Sequence, residues 1–154
     1  MKKFRPTTKR ELQALVEKLE INLGDIDTSK ITDMSHLFFD SKRTDFTGIE
    51  KWNTSNVTDM CYMFHGAIKF NQDISKWGTR KVKDMSKMFA YAKSFNQDIS
   101  KWDTSSVTDM RYMFAGAISF NQDISKWDIR KVKDMHGMFD KCPISEENKP
   151  FDAR

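Results

Sequence analysis

The sequence is dominated by a repeat with a period of 25 residues. The octapeptide FNQDISKW begins at residues 70, 95 and 120. The dipeptide Asp-Met marks five units, at Asp33, Asp59, Asp84, Asp109 and Asp134, with spacings of 26, 25, 25 and 25 residues. A fixed period of this length is typical of a solenoid or array, in which each unit buries its apolar face only against its neighbours. We therefore expect equivalent residues of successive units to lie side by side.

One half of each unit carries apolar residues at helical spacing. Met110, Met113, Phe114 and Ala117 fall at i, i+3, i+4 and i+7, which is one face of an α-helix. Asp109 comes just before them and is a good N-cap residue. The pattern predicts a helix of about two turns in every unit, stabilised by stacking because so short a helix is marginal alone. A methionine-rich stripe can form an adaptable binding groove, but its phenylalanine and alanine companions favour core packing.

The other half of each unit has strand-like composition. The segment 98–102, Asp-Ile-Ser-Lys-Trp, is short, partly β-branched and aromatic, and is flanked by polar turn residues, which predicts a strand. Parallel pairing of such strands would place adjacent units about 4.8 Å apart. Each residue of the octapeptide would then lie above its own copy. Asn71, Asn96 and Asn121 are expected to form an amide ladder that satisfies backbone groups of the turns.

The two ends of the chain depart from the repeat. Residues Thr8 to Glu11 form a capping-box pattern. The residues that follow on one helical face are Leu12, Leu15, Val16 and Leu19. We therefore predict a single domain with a capping helix within residues 1–22, about five repeats over residues 23–142 and a closing segment over residues 143–154.

Composition and charge exclude several classes of protein. The 154 residues carry a net charge of +4 and have a pI of about 9.0, a mild basic excess that falls short of a nucleic-acid-binding signature. The N-terminal MKKFRP segment lacks the apolar stretch of a signal peptide, and no stretch is long enough to span a membrane. As written, the sequence predicts a cytoplasmic protein.

The repeat resembles a known bacterial family. The pattern V-T-D-M-x-x-M-F-x-x-A-x-x-F-N-Q-D-I-S-x-W-D-T-S, over residues 23–142, is similar to the 25–26-residue repeat of bacterial surface proteins and lipoproteins of unknown function. Those proteins are related to BspA-like leucine-rich repeats. The resemblance implies an α/β fold, a leucine-rich-repeat-like right-handed solenoid with one short strand and one short helix per unit. It also implies binding or adhesion at a bacterial surface, by a cell-surface or secreted protein, and no catalytic residues.

Residues that could carry metal or nucleophile chemistry are scattered. Among His36, Cys61, His65, His136 and Cys142, only Cys61 and His136 share a position in the repeat, and they lie three units apart. At strand spacing that separation is roughly 14 Å, whereas zinc ligands lie about 2.0–2.3 Å from the metal. The same separation puts the two cysteines beyond disulfide reach. No metal site, cofactor or catalytic set is predicted, and an enzyme is disfavoured.

Columns of repeated side chains form a candidate interaction surface. The tryptophans make a row that is either buried in the core or exposed as an aromatic ladder for a partner, and the sequence leaves both alternatives open. The lysines of the octapeptide form a second column, next to an aspartate column that could neutralise it. Two Arg-Lys-Val-Lys clusters recur 50 residues apart, which suggests duplication of a pair of units. The candidate residues are Trp77, Trp102, Trp127, Lys76, Lys101, Lys126, Arg80, Lys81, Lys83, Arg130, Lys131 and Lys133.

Three functions compete at this level. The leading hypothesis is a non-enzymatic repeat module that binds a protein or a glycan across one face, because stacked units present an extended surface. The second is weak binding of nucleic acid or another polyanion through the basic clusters, which predicts a steep dependence on salt. The third, a small hydrolase or transferase, would need a convergent set of titratable groups. Self-association through the ends of the array is a further possibility.

Overall fold

A computed structural model describes residues 2–150 of the chain. Within that range one α-helix, α1, spans Lys9–Val16, and short 3₁₀ helices span Leu23–Asp25, Ile49–Lys51 and Glu146–Asn148. Residues 2–150 contain no extended strand, and their parallel pairing is limited to isolated bridges. One bridge joins Phe4 to Ile26, and four bridges connect the aspartates of the five Asp-Met dipeptides in sequence. The end of the predicted closing segment, residues 151–154, lies outside the described residues.

Helix α1 begins where the capping pattern predicts it. The side chain of Thr8 accepts a hydrogen bond from the backbone N–H of Glu11 at 3.1 Å, and this bond satisfies one of the free donors of the first turn. Leu12 and Val16 are buried. The helix ends at Val16, so Leu19 lies beyond it and is 59% exposed. None of the helices in the described part of the chain has the length and apolar content needed to span a membrane.

Helix α1 packs on the first repeat unit. Gln13 Nε2 donates to the carbonyl oxygen of Leu37 at 3.1 Å, and Lys9 Nζ donates to Ser35 Oγ at 2.7 Å. The buried Arg43 donates to the carbonyl oxygen of Val16, the last residue of α1, at 3.1 Å and to that of Lys18, just beyond the helix, at 2.9 Å. A cation at this position also suits the negative end of the helix dipole. These contacts tie α1 to the repeats.

Successive units stack in register. The rings of Trp77 and Trp102 lie 6.4 Å apart with their planes within 4° of parallel. Phe64 stacks on Phe89 between the same two units at 5.7 Å, and Phe89 stacks on Phe114 of the following unit at 5.6 Å. Backbone bonds of 2.7–2.9 Å join the last two units, from the N–H groups of Met110, Tyr112, Phe114 and Gly116 to the carbonyls of Asp134, His136, Met138 and Asp140. Equivalent residues therefore lie side by side, as the period predicts.

The prediction of a short helix in each unit is wrong. Residues 111–116 form consecutive turns, with hydrogen bonds from Met113 N to Met110 O and from Ala117 N to Phe114 O. These bonds span three residues, whereas an α-helix needs four. Tyr112 and Gly116 have φ of 53° and 69°, the left-handed region that a type II turn requires at its third residue. Alternate N–H groups point to the next unit, which no helix could arrange. The apolar residues keep helical spacing because the turns bring them to the same side.

The predicted strand is also absent. Ser100 and Lys101 form a turn that Trp102 N closes by donating to Ile99 O at 3.2 Å. Asp98 Oδ1 accepts the N–H of Ser100 at 2.9 Å. Such local side-chain bonds compete with strand pairing. The leucine-rich-repeat-like α/β solenoid, with a strand and a helix per unit, is therefore contradicted: the units consist of turns joined by isolated bridges.

The repeated residues build the core and one edge of the stack. Met110, Met113 and Phe114 are fully buried, so the methionine stripe is core. Outside the core the predicted amide ladder is confirmed, because Asn71 Oδ1 accepts the N–H of Asn96 at 2.9 Å and the same bond recurs in the next unit at 3.0 Å. Each copy of the octapeptide thus supplies both an apolar layer and a hydrogen bond to its neighbour.

Candidate functional site

The tryptophan row is buried. Trp77, Trp102 and Trp127 are 4–5% exposed, and the indole N–H of Trp102 donates to Ile74 O at 3.0 Å. The same bond recurs in the neighbouring units. Buried Trp N–H groups need such a partner. Of the two alternatives that the sequence leaves open, the core row is therefore the one observed, and these rings offer no face to a partner.

The nine basic residues of the candidate surface are exposed. They are Lys76, Lys101, Lys126, Arg80, Lys81, Lys83, Arg130, Lys131 and Lys133. Arg130 is paired with Asp128 at 2.7 Å. Asp98 belongs to the acidic column, and its pKa is lowered mainly by hydrogen bonds from Ser100, with a smaller effect of Lys101. The structure thus leaves these cations on the surface, where their role in binding stays a prediction.

The scattered histidines and cysteines do not meet as a group, but Cys61 meets two aspartates. Ligand atoms of Asp59, Cys61 and Asp84 all lie within 4.8 Å of one another. Burial, followed by the neighbouring Asp59, raises the pKa of the Cys61 thiol to about 12, so the thiol is protonated at neutral pH. Asp59 Oδ1 accepts the N–H of Cys61 and Asp84 Oδ1 accepts that of Ser86. These turn bonds account for the arrangement.

A different surface emerges from positions that vary between units. We call it the aromatic face, and its members are His36, Phe39, Tyr62, His65, Lys87, Tyr91, Arg111 and Tyr112. Rings of adjacent units stack on it: His36 lies 4.5 Å from Tyr62, and Phe39 lies 4.8 Å from His65. Phe39 is 43% exposed and Tyr91 49% exposed. Aromatic side chains that are partly exposed to solvent are common at interfaces.

Lys87 lies between two tyrosines at the centre of the aromatic face. Its Nζ is 5.0 Å from the ring centroid of Tyr62 and 5.5 Å from that of Tyr112. Nζ also donates to the hydroxyl of Tyr62 at 2.8 Å. No carboxylate among residues 2–150 lies within 4.0 Å of this ammonium group. The lysine is therefore held in place by rings, and its charge has no ion-pair partner in the described part of the chain.

Two adjacent pockets share Lys87 and Tyr112 as a common wall. The larger pocket, of about 260 Å³, is completed by His65, Tyr91, Ala90 and Ala115. The smaller, of about 170 Å³, is completed by Tyr62, Ser86 and Arg111. Both alanines are buried, so they form a floor of small side chains. The arrangement places aromatic rings and a cation around two shallow cavities on one face.

His65 adds a polar group to the larger pocket. Its Nδ1 is buried without a hydrogen-bond partner and lies 3.9 Å from Asp40 Oδ1. Burial lowers the pKa of His65, against the opposing effect of Asp40, so the ring is neutral at pH 7. A neutral imidazole offers one donor and one acceptor.

Sequence reasoning missed the aromatic face because it followed the residues that repeat. The repeated residues are occupied with the core and with turn hydrogen bonds. The signal lay in the positions that differ among otherwise similar units, where His36, Tyr62, Lys87, Tyr112 and Gly137 are equivalent. Because the repeated residues already form the core and the turn hydrogen bonds, side chains at the variable positions can serve a function other than folding.

A known sequence family matches the chain from helix α1 to beyond the last repeat unit. Residues 9–102 and, in a second match, residues 76–150 correspond to the sequence family described as "Mycoplasma protein of unknown function, DUF285". No curated protein and no solved structure matches the chain.

Proposed function

The chain belongs to this repeat family of unknown function, and we propose that it is a non-enzymatic module that binds a protein or a glycan through one face of its stack. The observation that carries the proposal is the aromatic face. The exposed ring of Tyr91, the half-buried rings of Tyr62 and Tyr112, and an ammonium group without an ion-pair partner among residues 2–150 converge there on two pockets. Tyrosine is among the residue types enriched at the few positions that carry most of the binding energy in known interfaces.

Backbone conformation supports a role for these side chains. Tyr62, Lys87, Tyr91 and Tyr112 have φ between 53° and 58°, a region that costs a residue with a side chain about 1 kcal/mol or more. Glycine occupies the equivalent turn positions elsewhere, as at Gly116 with φ of 69°. The turn itself therefore does not need a tyrosine or a lysine. Non-glycine residues kept in this region tend to cluster at functional sites.

The exposed basic residues support a second candidate, weak binding of nucleic acid or another polyanion. Lys83 and Lys133 are exposed, as are the arginine and lysine residues just before them. Binding through such side chains would weaken steeply between about 50 and 200 mM salt. The modest net charge of +4 makes this the less favoured function.

A place at the bacterial cell surface, or secretion from it, is part of the proposal. It rests on the resemblance of the repeat to that of surface proteins and lipoproteins. The relationship to BspA-like leucine-rich repeats rests on the same sequence pattern and draws no support from the fold. Two further parts of the proposal are that the protein self-associates through the ends of the stack and that it has no catalytic activity.

Capture on protein and glycan arrays tests the proposed function. We expect Tyr91→Ala to reduce capture about tenfold, in keeping with the loss of an interface aromatic. The double variant Lys81→Glu/Lys131→Glu tests the basic surface in parallel. Ile118→Ala is the matched control, because Ile118 is an exposed apolar residue, at 58%, that lines neither pocket. If only the Lys81→Glu/Lys131→Glu variant loses capture, the polyanion function is favoured instead.

A further inference from the structure

We propose that the paired pockets of the aromatic face bind an acidic glycan, with the carboxylate of one sugar residue at Lys87. This inference rests on the proposed function and names its ligand class. Three observations support it: the charge at the pockets, the size of the pockets, and the surrounding backbone N–H groups, which are already hydrogen-bonded.

Charge points to an anionic ligand. Lys87 Nζ lies on the wall shared by both pockets, and no carboxylate of the described residues pairs with it. Its contacts to Tyr62 and Tyr112 leave the ammonium group with its full charge. Arg111 contributes less, because it is paired with Asp109 at 2.6 Å. An incoming carboxylate would give Lys87 the ion-pair partner that it lacks, with a charge-assisted hydrogen bond in addition to the one that it donates to the Tyr62 hydroxyl.

Size and shape point to a sugar ring. The larger pocket, of about 260 Å³, lies just below the roughly 300–1,000 Å³ usual for drug-sized ligands. It therefore suits one six-membered ring with its substituents. The half-exposed ring of Tyr91 offers an apolar face, Ala90 and Ala115 give a smooth floor, and neutral His65 offers a donor or an acceptor to a hydroxyl. The adjoining smaller pocket would take the neighbouring sugar.

The backbone argues against a peptide ligand. Peptides often dock by adding a strand to unpaired N–H and C=O groups. Around the pockets these groups are already used. The N–H groups of Lys87, Phe89 and Tyr91 donate to the next unit, and those of Met88 and Ala90 donate within their own turns. Recognition must therefore come from side chains, which suits a ring-shaped ligand with hydroxyl and carboxylate groups.

Calorimetric titration of the full chain tests the inference. The carboxylated probes are 3′-sialyllactose and a hyaluronan tetrasaccharide, lactose is the neutral probe, and hexaglutamate is the acidic peptide. We expect both carboxylated probes to bind at least about tenfold more tightly than lactose, since a hydrogen bond to a charged group is worth about that factor. Equal affinity for lactose, or no binding of either carboxylated sugar, would overturn the proposal.

Variants separate the contributions of charge and ring. Lys87→Met removes the ammonium group and keeps an apolar stem of similar length, and we expect it to weaken binding of the carboxylated probes about tenfold while leaving binding of lactose unchanged. Tyr91→Ala should weaken all three sugars, and Tyr91→Phe should restore them. Lys69→Met is the control, because Lys69 is exposed and lines neither pocket. A thermal melt of each variant verifies its fold, and a loss of sugar binding by Lys69→Met equal to that by Lys87→Met would refute the assignment.

The outcomes distinguish the two proposals. If Tyr91→Ala abolishes capture on the arrays while no carboxylated sugar binds, the binding module stands and the acidic-glycan assignment is wrong. Binding of hexaglutamate alone, with the same dependence on Lys87, would identify an acidic peptide as the ligand. If the arrays show no capture that depends on Tyr91 and the sugars do not bind, both proposals fail.

Discussion

The ring of Tyr91 fills the space that a side chain at Gly116 would need. A Cβ at Gly116 would lie 2.5 Å from Tyr91 Cδ1 and 2.7 Å from Cε1, distances that packed atoms do not adopt. The absence of a side chain at Gly116 thus leaves room for the Tyr91 ring of the preceding unit. Since Tyr91 forms a wall of the larger pocket, the glycine shapes the pocket without lining it.

Gly116→Ala is expected to destabilise the protein and to displace Tyr91. The alanine would have to adopt a φ of 69° and would push the ring outward, so we expect a loss of about 1–3 kcal/mol in the free energy of unfolding. Urea denaturation measures it. Gly78→Ala is the matched control: its φ is not in the left-handed region, and the nearest atom would lie 3.4 Å away. An equal loss in both variants would contradict the role of Tyr91.

Asn96→Ala tests the amide ladder. Asn96 Oδ1 accepts the N–H of Asn121 at 3.0 Å and the side-chain amide of Gln122 at 3.0 Å. Losing both bonds at an exposed edge should cost about 1–2 kcal/mol in the free energy of unfolding. Gln72→Ala removes an amide that makes no such bond in residues 2–150 and should cost less than about 0.5 kcal/mol. Denaturant titration of the two variants decides whether the ladder stabilises the stack.

Trp102→Phe tests the buried row. The substitution removes the indole N–H bond to Ile74 O and opens a cavity between the neighbouring tryptophan rings. We expect a loss of about 2–4 kcal/mol in the free energy of unfolding. In the unmodified protein, acrylamide should quench the tryptophan fluorescence weakly. Strong quenching before unfolding would show that the row is exposed.

His65 should make stability depend on pH. Burial lowers its pKa in the folded state below the ordinary value of 6.5, so the unfolded chain takes up a proton first as the pH falls. This contribution to stability is complete above pH 6.5 and is lost as the pH drops through that value towards the folded-state pKa. The nearby charges are those of Asp40, which opposes the shift, and of Lys87 and His36, which add to it.

The measurement compares the free energy of unfolding at pH 7.5 and at pH 5.5. We expect a smaller drop in His65→Gln than in the unmodified chain, while His136→Gln, at an exposed position, keeps the full drop. Asp128, with a pKa of about 2, does not titrate in this range. A drop that His65→Gln leaves unchanged would assign the pH dependence to other groups.

The features that the sequence could predict follow from the identity of equivalent residues in successive units. Stacked copies of Trp102, Asn96 and Phe114 must touch their equivalents, so the register and the amide ladder could be deduced without coordinates. The capping pattern at Thr8 likewise has a local cause, a side-chain oxygen that accepts a backbone N–H. These features need only nearest neighbours along the chain or along the stack.

The turns and the aromatic face could not be predicted in the same way. Apolar residues at helical spacing fit a run of turns equally well, and the choice depends on where alternate N–H groups find acceptors. Gly66, Gly116 and Gly137 lie inside the predicted helices. They are the one sequence signal against those helices, because glycine disfavours a helix interior. The aromatic face depends on contacts among residues that differ from unit to unit, which a search for sameness overlooks.

The pairing of a large side chain with a glycine one unit later has a consequence for how this protein can lengthen or shorten. Asp40 lies over Gly66 as Tyr91 lies over Gly116, so bulky and empty positions alternate along the stack. Loss of a single unit would place two side chains or two glycines next to each other, whereas loss of two units would preserve the alternation. Viable length variants should therefore differ by two units, or about 50 residues.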